Sequence, residues 1–581
     1  MRTGAAFTGR MRRRRCALNS LLGLSIVFTL ALLLHGWFVL AGDAAPARGM
    51  VATVHPLATE AGVEAMRRGG NAVDAIIAAG LTLGVVDTHN SGLGGGCFLL
   101  IRRTNGEVIA IDGRETAPAA ATRDMFLRNG KAVAELGETG ALAVGVPGQV
   151  AAFHEAGAKF GRLPWKEHCF AAAKIAETGF PVTRNYASRL AGVAKELGKF
   201  PASRAIFLRP DGQSWSAGEV LRQPDLALTL RALGGQGRDW FYRGPFATAT
   251  AVWMRANGGL ITETDFANYQ AKPRAPLRTT YRGHEIVGFP PPSSGGVHVA
   301  QILNVLEHFD LKSLGADSPD FVHVVAEAMK LAFADRAHWL GDPDFAPVPR
   351  GLVDKAYAAQ LAKKIDLKKA TPVPQHNTPP NSTSDVFSKH TTHFSAADAQ
   401  GNWVACTATI NTSYGSKVVV PGTGVVLNNE MDDFSAQPGV PNYFGLVGAE
   451  ANAVAPGKRP LSSMSPTIVL RDGQPLLSVG AAGGPTIITQ TLLAIIHVVD
   501  FGRDPATALA QPRFHQQWSP DELRIEKKFP VALRRELERR GHKLKELETI
   551  GACQAVGRGA DGNGFTGAHD PRVTDGKAAG F

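Results

Sequence analysis

Cysteine is scarce in this chain, with five residues among 581. That density excludes a small scaffold held together by disulfides, and we interpret Cys97, Cys169, Cys406 and Cys553 as buried free thiols. The sequence also lacks a His-Glu-x-x-His zinc motif, a Gly-x-Ser-x-Gly nucleophile elbow and a dinucleotide-binding fingerprint between a strand and a helix. We therefore expect no metal ion and no cofactor.

Acidic residues are absent from the first 42 positions, and this explains much of the net charge of +11. Six arginines lie in residues 1–42, so the rest of the chain carries only +5. No basic stripe with interleaved aromatics remains, so we expect no nucleic-acid partner. The composition, 44% hydrophobic and 19% charged, is typical of a globular protein.

Residues 1–42 have the pattern of an export signal. The arginine cluster is followed by an apolar run at 21–40 and then by small residues. The run is also long enough to span a bilayer. A cleaved signal peptide and an uncleaved anchor formed by residues 17–40 both remain open, and either would place the remaining chain outside the cytoplasm, in the periplasm.

The remaining sequence mixes helical and strand patterns. We predict helices at 55–68, 71–85, 318–339 and 485–499, a half-buried hairpin at 391–397 and 403–410, and strands at 97–102, 108–111, 418–427 and 467–470. The proline-rich stretch from residue 371 to the hairpin predicts an exposed linker. These elements predict an α/β sandwich with antiparallel sheets and helices outside.

The segment Thr391-Thr392-His393 stands where this linker meets the hairpin. If the chain is cut before Thr391, that residue gains an α-amino group with a pKa of about 7.7–8.0, which can take the proton of its own hydroxyl. Spacing alone also fits an ordinary strand rich in β-branched residues.

Five other segments carry polar groups or glycines suited to binding charge. Each is by itself also typical of an ordinary turn or helix start. They are Asp112–Pro118, residues 409–415 with Thr409 and Asn411, the acidic run 428–433, the serine turn 459–466, and Gly483-Gly484-Pro485.

In their order and their residues, these segments resemble the γ-glutamyltranspeptidase family, and the resemblance covers this chain from residue 49 to the C-terminus. The strings that carry the resemblance are 112–118, 290–296, 391–393, 428–434, 460–466 and 512–515. The family's fold is a four-layer αββα sandwich of the N-terminal-nucleophile hydrolase type, an α/β (α+β) class. The resemblance implies cleavage between His390 and Thr391, with a large subunit at 49–390, whose segment 371–390 leads to the cut, and a small subunit at 391–581.

The resemblance also implies the roles of individual residues. Thr391 would be the nucleophile, Thr409 would assist it, and Gly483 and Gly484 would supply oxyanion-hole amides. The donor's α-carboxylate and α-ammonium groups would be held by two sets of residues: Arg114, Ser462 and Ser463 for the carboxylate, and Asn411, Glu430 and Asp433 for the ammonium.

The implied activity is cleavage of glutathione and other γ-glutamyl compounds. The γ-glutamyl group first forms an ester with Thr391 and is then transferred to water or to an amino acid or peptide. Residues 438–449 resemble the family's lid loop, with Phe444 where bacterial relatives often have Tyr and with Tyr443 beside it. Two alternatives remain open: a related acylase that removes glutaryl-type groups from cephalosporins, and an unprocessed binding protein without turnover.

Overall fold

The computed structural model of the protein describes residues 47–380, 392–559 and 562–581. At its centre is the predicted hairpin, formed by Thr392–Asp398 and Trp403–Thr409. The strands pair antiparallel, with Thr392 opposite Ala408. Every residue of both strands is buried, so the prediction of a half-buried hairpin is wrong. Both faces are covered, one by helices and the other by a second sheet.

The hairpin lies in the middle of a seven-stranded sheet. Its antiparallel strands, in spatial order, are Lys577–Gly580, Gly49–Thr53, Thr392–Asp398, Trp403–Thr409, Gly96–Arg102, Val108–Gly113 and Lys272–Arg274. The first described strand, Gly49–Thr53, thus lies between the last one, Lys577–Gly580, and the strand that follows the predicted cleavage point.

A six-stranded antiparallel sheet packs face to face against the first. Its strands, in order, are Phe565–His569, Ala552–Arg558, Gln474–Ala482, Thr467–Arg471, His284–Gly288 and Leu277–Tyr281. The Ser395 and Ser478 hydroxyls join the two sheets at 2.9 Å. A Cβ at Gly480 would lie 2.4 Å from the His393 ring, so only glycine allows this close approach.

Three small sheets complete the strands. One contains Phe514–Gln516, Leu523–Glu526 and Leu544–Leu547; the others pair Leu127–Arg128 with Lys131–Ala132 and Phe180–Pro181 with Val220–Leu221.

Helices cover the outer face of each large sheet. Those in the first half of the chain are Pro56–Arg67, Ala72–Val86, Ala134–Glu138, Gln149–Phe160, Trp165–Thr178, Arg184–Leu197, Pro201–Phe207, Pro224–Gln236, Asp239–Tyr242, Pro245–Ala256 and Glu263–Asn268. Those in the second half are Ser294–Leu306, Leu311–Leu314, Pro319–Trp339, Lys355–Ala362, Thr486–Val499, Pro505–Ala510 and Val531–Arg539.

Two separate apolar cores follow from this layering. One joins the seven-stranded sheet to the N-terminal helices, and the other joins the six-stranded sheet to the helices of the second half. The order helix, sheet, sheet, helix confirms the predicted four-layer αββα sandwich.

The predicted helix starts are confirmed by their capping contacts. Asn71 accepts hydrogen bonds from the Val73 and Asp74 amides, and Asp74 accepts from the Asn71 amide in return. Ser318 caps the long helix through the Phe321 amide at 3.0 Å.

Residues 418–427 do not form the predicted strand. Gly422 and Gly424 have φ angles of 73° and 67°, so the chain reverses between two short apolar runs. The runs meet at a single bridge between Val419 and Val426. Glycines at these positions interrupt a pattern that otherwise favours an extended strand.

The described part of the predicted linker, residues 371–380, is partly exposed but anchored. Lys330 donates to the Thr371 carbonyl at 3.0 Å, and Trp518 donates to the Val373 carbonyl at 2.7 Å. Asp335 accepts a hydrogen bond from the Asn377 amide at 2.7 Å. The segment is therefore tied to its surroundings, since buried polar side chains satisfy its backbone groups.

Two further predictions concern cysteines and the membrane. Cys97, Cys169, Cys406 and Cys553 are buried free thiols, as predicted. The predicted export segment, residues 1–42, lies outside the described residues. In the part that is described, no helix is both long and apolar enough to cross a bilayer.

Candidate active site

Thr391, the predicted nucleophile, lies outside the described residues, and its neighbour Thr392 begins the central strand. The Thr392 hydroxyl donates to Oδ2 of Asp87 at 3.5 Å. Burial raises the pKa of Asp87 to about 7, against the lowering effect of hydrogen bonds from Asn90 and Thr392. The start of this strand is therefore surrounded by protein rather than water.

Thr409 and Asn411 lie at the end of the paired strand. The Thr409 hydroxyl oxygen accepts a hydrogen bond from the Asn411 amide at 2.7 Å. Asn411 has a φ of 75°, which turns its side chain back so that Nδ2 donates to the Asn429 carbonyl at 2.9 Å. Its Oδ1 is buried and accepts no hydrogen bond in the described chain. A buried acceptor without a donor is a place where a ligand's N–H group fits.

Arg114 follows directly after the strand Val108–Gly113. Its amide donates to Asp112 at 2.9 Å, and its carbonyl accepts from the Tyr269 hydroxyl at 2.7 Å and from Arg459 at 3.3 Å. The backbone is thus held from three sides, and this directs a fully buried side chain into the site.

The Arg114 guanidinium binds two of the predicted acids. NH1 donates to Glu430, and NH2 donates to Asp433 at 2.6 Å. Nε and NH2 also donate to the carbonyls of Pro460 and Leu461, at 3.2 and 3.4 Å. Arg114, Glu430 and Asp433 therefore form one buried cluster, next to the turn that contains the predicted serines.

Burial and charge act in opposite directions on this cluster. Burial raises the pKa of Glu115 to about 8 and raises the pKa of Glu430 well above its usual range, although Arg114 opposes both shifts. For Arg114 itself, burial lowers the pKa, but attraction to the neighbouring acids outweighs this and raises it. Oε2 of Glu430 is buried and has no hydrogen-bond partner among the described residues.

Ser462 and Ser463 follow Leu461 directly. The Ser462 carbonyl accepts from the amide and hydroxyl of Ser294, which fixes the turn to the start of the helix Ser294–Leu306. The Ser462 hydroxyl accepts from the Met464 amide at 3.2 Å. The Ser463 hydroxyl is buried without a partner in the described chain, so it can donate to an incoming anion.

Gly483 and Gly484 lie between the strand Gln474–Ala482 and the helix Thr486–Val499. Their φ angles are 128° and 63°, values that L side chains rarely adopt. The free amides at a helix start favour negative charge. The sequence predicted Pro485 as the first residue of this helix, but in the structure it is the residue before the helix.

The predicted lid segment is fastened to the charged cluster by Asn442. Its Nδ2 donates to Oδ1 of Asp433 at 3.2 Å, and its Oδ1 accepts from the amides of Phe444 and Leu446. Tyr443 is 56% exposed, whereas Phe444 packs on the core of the six-stranded sheet. Tyr443 therefore does not take the covered position of Phe444.

Several residues of the site had no individual role in the sequence-based predictions, although Glu115, Arg459 and Asn442 lie within the segments named there. Tyr269, Arg459, Glu115 and Asn442 hold or face the cluster, and no spacing signal marks Tyr269 or Asn442. Arg336 carried a signal, because helical periodicity places it on the same stripe as Met329 and Phe333 in a long amphipathic pattern. Its guanidinium lines a small cavity together with Asp433.

Comparison with known sequences identifies relatives along nearly the whole chain. The sequence profile of the family described as gamma-glutamyltranspeptidase matches residues 58–581. The glutathione hydrolase proenzyme of Escherichia coli (strain K12) is 46% identical, over 92% of each chain. The acylase ACY 1 proenzyme of Pseudomonas sp. (strain SE83) is 38% identical, over 90% of this chain and 92% of that one.

Solved structures give the same grouping. A cephalosporin acylase from Bacillus halodurans has a TM-score of 0.82 at 29% identity, covering 92% of this chain and 96% of the other. The gamma-glutamyltranspeptidase of Helicobacter pylori has a TM-score of 0.56 at 38% identity, covering 58% of this chain and 97% of the other.

Proposed function

Because the chain belongs to the γ-glutamyltranspeptidase family, we propose that it is a γ-glutamyltransferase and glutathione hydrolase made as a proenzyme. The observation that carries this proposal is the set of unsatisfied groups in the buried charged cluster. Two acceptors, Oδ1 of Asn411 and Oε2 of Glu430, and one donor, the Ser463 hydroxyl, are buried without partners in the described chain. Two acceptors suit an ammonium group, and one donor suits a carboxylate.

Recognition of the donor then becomes an exchange of ion pairs. The donor's α-carboxylate binds Arg114, Ser462 and Ser463, and its α-ammonium group binds Asn411, Glu430 and Asp433. The bonds that Arg114 makes to Glu430 and Asp433 are replaced by bonds to the donor. Neither charge of the donor is left without a counter-charge in this buried site, so the cost of desolvation is offset.

The chemical step uses the hydroxyl of Thr391 as nucleophile. The α-amine of Thr391 takes the hydroxyl proton while the oxygen attacks the γ-carbonyl carbon, with Thr409 assisting. The oxyanion accepts hydrogen bonds from the amides of Gly483 and Gly484. Collapse breaks the amide bond, the leaving amine takes the proton, and a γ-glutamyl ester of Thr391 remains. Water then releases glutamate, or an amino acid or peptide amine gives a new γ-glutamyl amide.

The free α-amine requires prior cleavage between His390 and Thr391. We propose that the precursor cuts itself there, giving a large subunit at 49–390 and a small catalytic subunit at 391–581. The anchored segment 371–380, at the large subunit's end, also contacts the small subunit, because Trp518 donates a hydrogen bond to the Val373 carbonyl at 2.7 Å. Hydrogen bonds of this kind keep the two products associated after the peptide bond is broken.

We also propose that the protein is exported to the periplasm through residues 1–42, as a cleaved signal or as an anchor. The basic cluster before the apolar run supports this. Fractionation of the producing cells, with mass spectrometry of the protein's N-terminus, tests it.

Acylase activity on glutaryl-type groups is the second candidate, since an acylase is among the similar sequences and structures. A glutaryl group has a carboxylate but no ammonium, so it would leave the Asn411 and Glu430 acceptors unsatisfied. Initial rates on γ-glutamyl-p-nitroanilide and glutaryl-p-nitroanilide separate the two. We expect faster turnover of the γ-glutamyl compound, and preference for the glutaryl compound would contradict the proposal.

The third possibility, a binding protein without turnover, is tested by gel electrophoresis. Two fragments with activity support the enzyme, whereas an intact, inactive chain supports the binding protein.

A further inference from the structure

Arg336 is a buried arginine for which the mechanism above has no use. It lies near the end of the helix Pro319–Trp339 and is 1% exposed. Its Nε and NH2 atoms are both buried and donate to no acceptor in the described chain. Burying a charged group without hydrogen bonds costs several kcal/mol in general. A guanidinium with two unused donors therefore points to an acceptor that reaches it in another state of the site.

Among the described residues, one charged group faces the Arg336 side chain. Its side chain lines a cavity with Asp433, Asn442, Asn452 and Leu461. Burial lowers the pKa of Arg336 to about 9, and attraction to Asp433 opposes this shift. The guanidinium thus stays protonated at neutral pH, with the Asp433 carboxylate as its counter-charge.

The size of the cavity limits what the acceptor can be. Its volume is about 10 Å³, room for one water molecule at most. A donor molecule does not fit there. The acceptor must therefore be a group that already forms the wall, and Asp433 is the carboxylate in that wall.

Asp433 needs a second cation when the donor binds. In the structure, its Oδ2 accepts from Arg114 at 2.6 Å and its Oδ1 accepts from Asn442 at 3.2 Å. In the proposed function, Arg114 binds the donor's α-carboxylate. Asp433 then loses its bond to the Arg114 guanidinium at the moment when it has to carry a negative charge for the donor's ammonium group.

We propose that Arg336 is a positioning residue, which binds the Asp433 carboxylate in place of Arg114 when Arg114 binds the donor's α-carboxylate. Nε and NH2 of Arg336 then donate to one side of the carboxylate, and its other side receives the donor's ammonium group. This inference rests on the proposed function and extends it, since it explains how Asp433 stays ionised and oriented in a buried site. It also makes Arg336 a determinant of specificity for donors that carry an α-ammonium group.

The test compares Arg336→Met, Arg336→Gln and Arg336→Lys with the wild type as processed two-chain proteins. With γ-glutamyl-p-nitroanilide, we expect the Met variant to raise KM at least about tenfold and to change kcat much less, because the interaction lost is one of donor binding. Arg336→Gln keeps N–H donors without charge and should resemble Met. Arg336→Lys restores the charge and should recover most of the affinity.

Two controls separate positioning from general damage. Glutaryl-p-nitroanilide has no ammonium group, so its KM should change far less than that of the γ-glutamyl compound. Arg102→Met removes another buried arginine, one that donates to the Gly401 and Gly473 carbonyls at the end of the strand Gly96–Arg102 away from Thr409, and should leave the KM for the γ-glutamyl donor unchanged.

The inference is overturned if Arg336→Met lowers kcat for both substrates equally, or if KM stays at the wild-type value. Calorimetric binding of L-glutamate and glutarate to each variant gives the same comparison without turnover. If the wild type binds glutamate but does not hydrolyse the anilide, the proposed function is wrong. In that case, the role of Arg336 is tested by whether its replacement weakens the binding of glutamate more than the binding of glutarate. If Arg336→Met fails to fold, Arg336→Gln and Arg336→Lys supply the comparison.

Discussion

Arg114→Met is the most informative change in the charged cluster. It removes the guanidinium that binds Glu430, Asp433 and two carbonyls in a fully buried position, while a flexible apolar side chain fills the space. Two consequences follow, one for stability and one for donor binding.

For stability, removing one member of a buried ion pair costs about 3–5 kcal/mol. The loss is reduced here if the two acids take up protons, which the raised pKa of Glu430 favours. For donor binding, a hydrogen bond to a charged group is worth about 1.5–3 kcal/mol. Loss of a two-pronged contact therefore costs about 3–6 kcal/mol, a fall of at least about 100-fold in kcat/KM.

The assay is the initial rate against concentration of γ-glutamyl-p-nitroanilide, with processing checked by gel and folding by thermal unfolding. We expect KM to carry most of the loss. Arg114→Lys, which keeps the charge but not the two-pronged geometry, should fall between the wild type and Arg114→Met. Unchanged donor saturation in Arg114→Met would refute the assignment of Arg114 to the carboxylate.

Three further predictions test other parts of the site. Gly483→Ala places a Cβ at a φ of 128° and 2.7 Å from the Thr486 hydroxyl; we expect kcat to fall about 100-fold, and a wild-type kcat would exclude this amide from the oxyanion hole. Glu430→Gln should change KM at pH 7 less than about threefold, because the amide oxygen still accepts a hydrogen bond from the donor's ammonium group and Asp433 still supplies the counter-charge; a tenfold rise in KM would show that the charge of Glu430 is needed. The pKa of Asp87 is raised from 3.8 to about 7 in the folded protein, so between pH 4 and 7 the unfolded chain has lost a proton that the folded protein still holds. As the pH rises through this range, the free energy of unfolding of the wild type should therefore fall relative to that of Asp87→Asn, by at most about 4 kcal/mol. Parallel pH curves of the unfolding free energy for the two proteins would contradict that shift.

The layers of the fold can be predicted from the sequence, because hydrophobic periodicity and capping residues determine each helix and strand locally. Asn71 and Ser318 cap helices where expected, and the central hairpin has the expected strands. The full burial of that hairpin could not be seen, because a second sheet packs on it through distant residues such as Ser478. The error at 418–427 arose from Gly422 and Gly424, whose left-handed conformation outweighs the strand preference of the valines around them.

The charged site was predictable only through the resemblance of whole motifs. Arg114 lies more than 300 residues from Glu430 and Asp433 in sequence, yet it donates hydrogen bonds directly to both. Their pairing with one another was not predicted, because the resemblance assigned Arg114 to the donor's α-carboxylate and the acids to its α-ammonium group. Asn442 was also missed as a polar link, since its role depends on the loop meeting Asp433 in space.

The central claim is that a peptide bond breaks so that Thr391 gains the amine it needs as a base. Mass spectrometry with N-terminal sequencing of the purified protein tests this most directly. We expect a fragment spanning residues 391–581 that begins Thr-Thr-His-Phe, and a Thr391→Ala protein that stays one chain and is inactive. An active protein without that N-terminus, or normal cleavage of Thr391→Ala, would contradict the account.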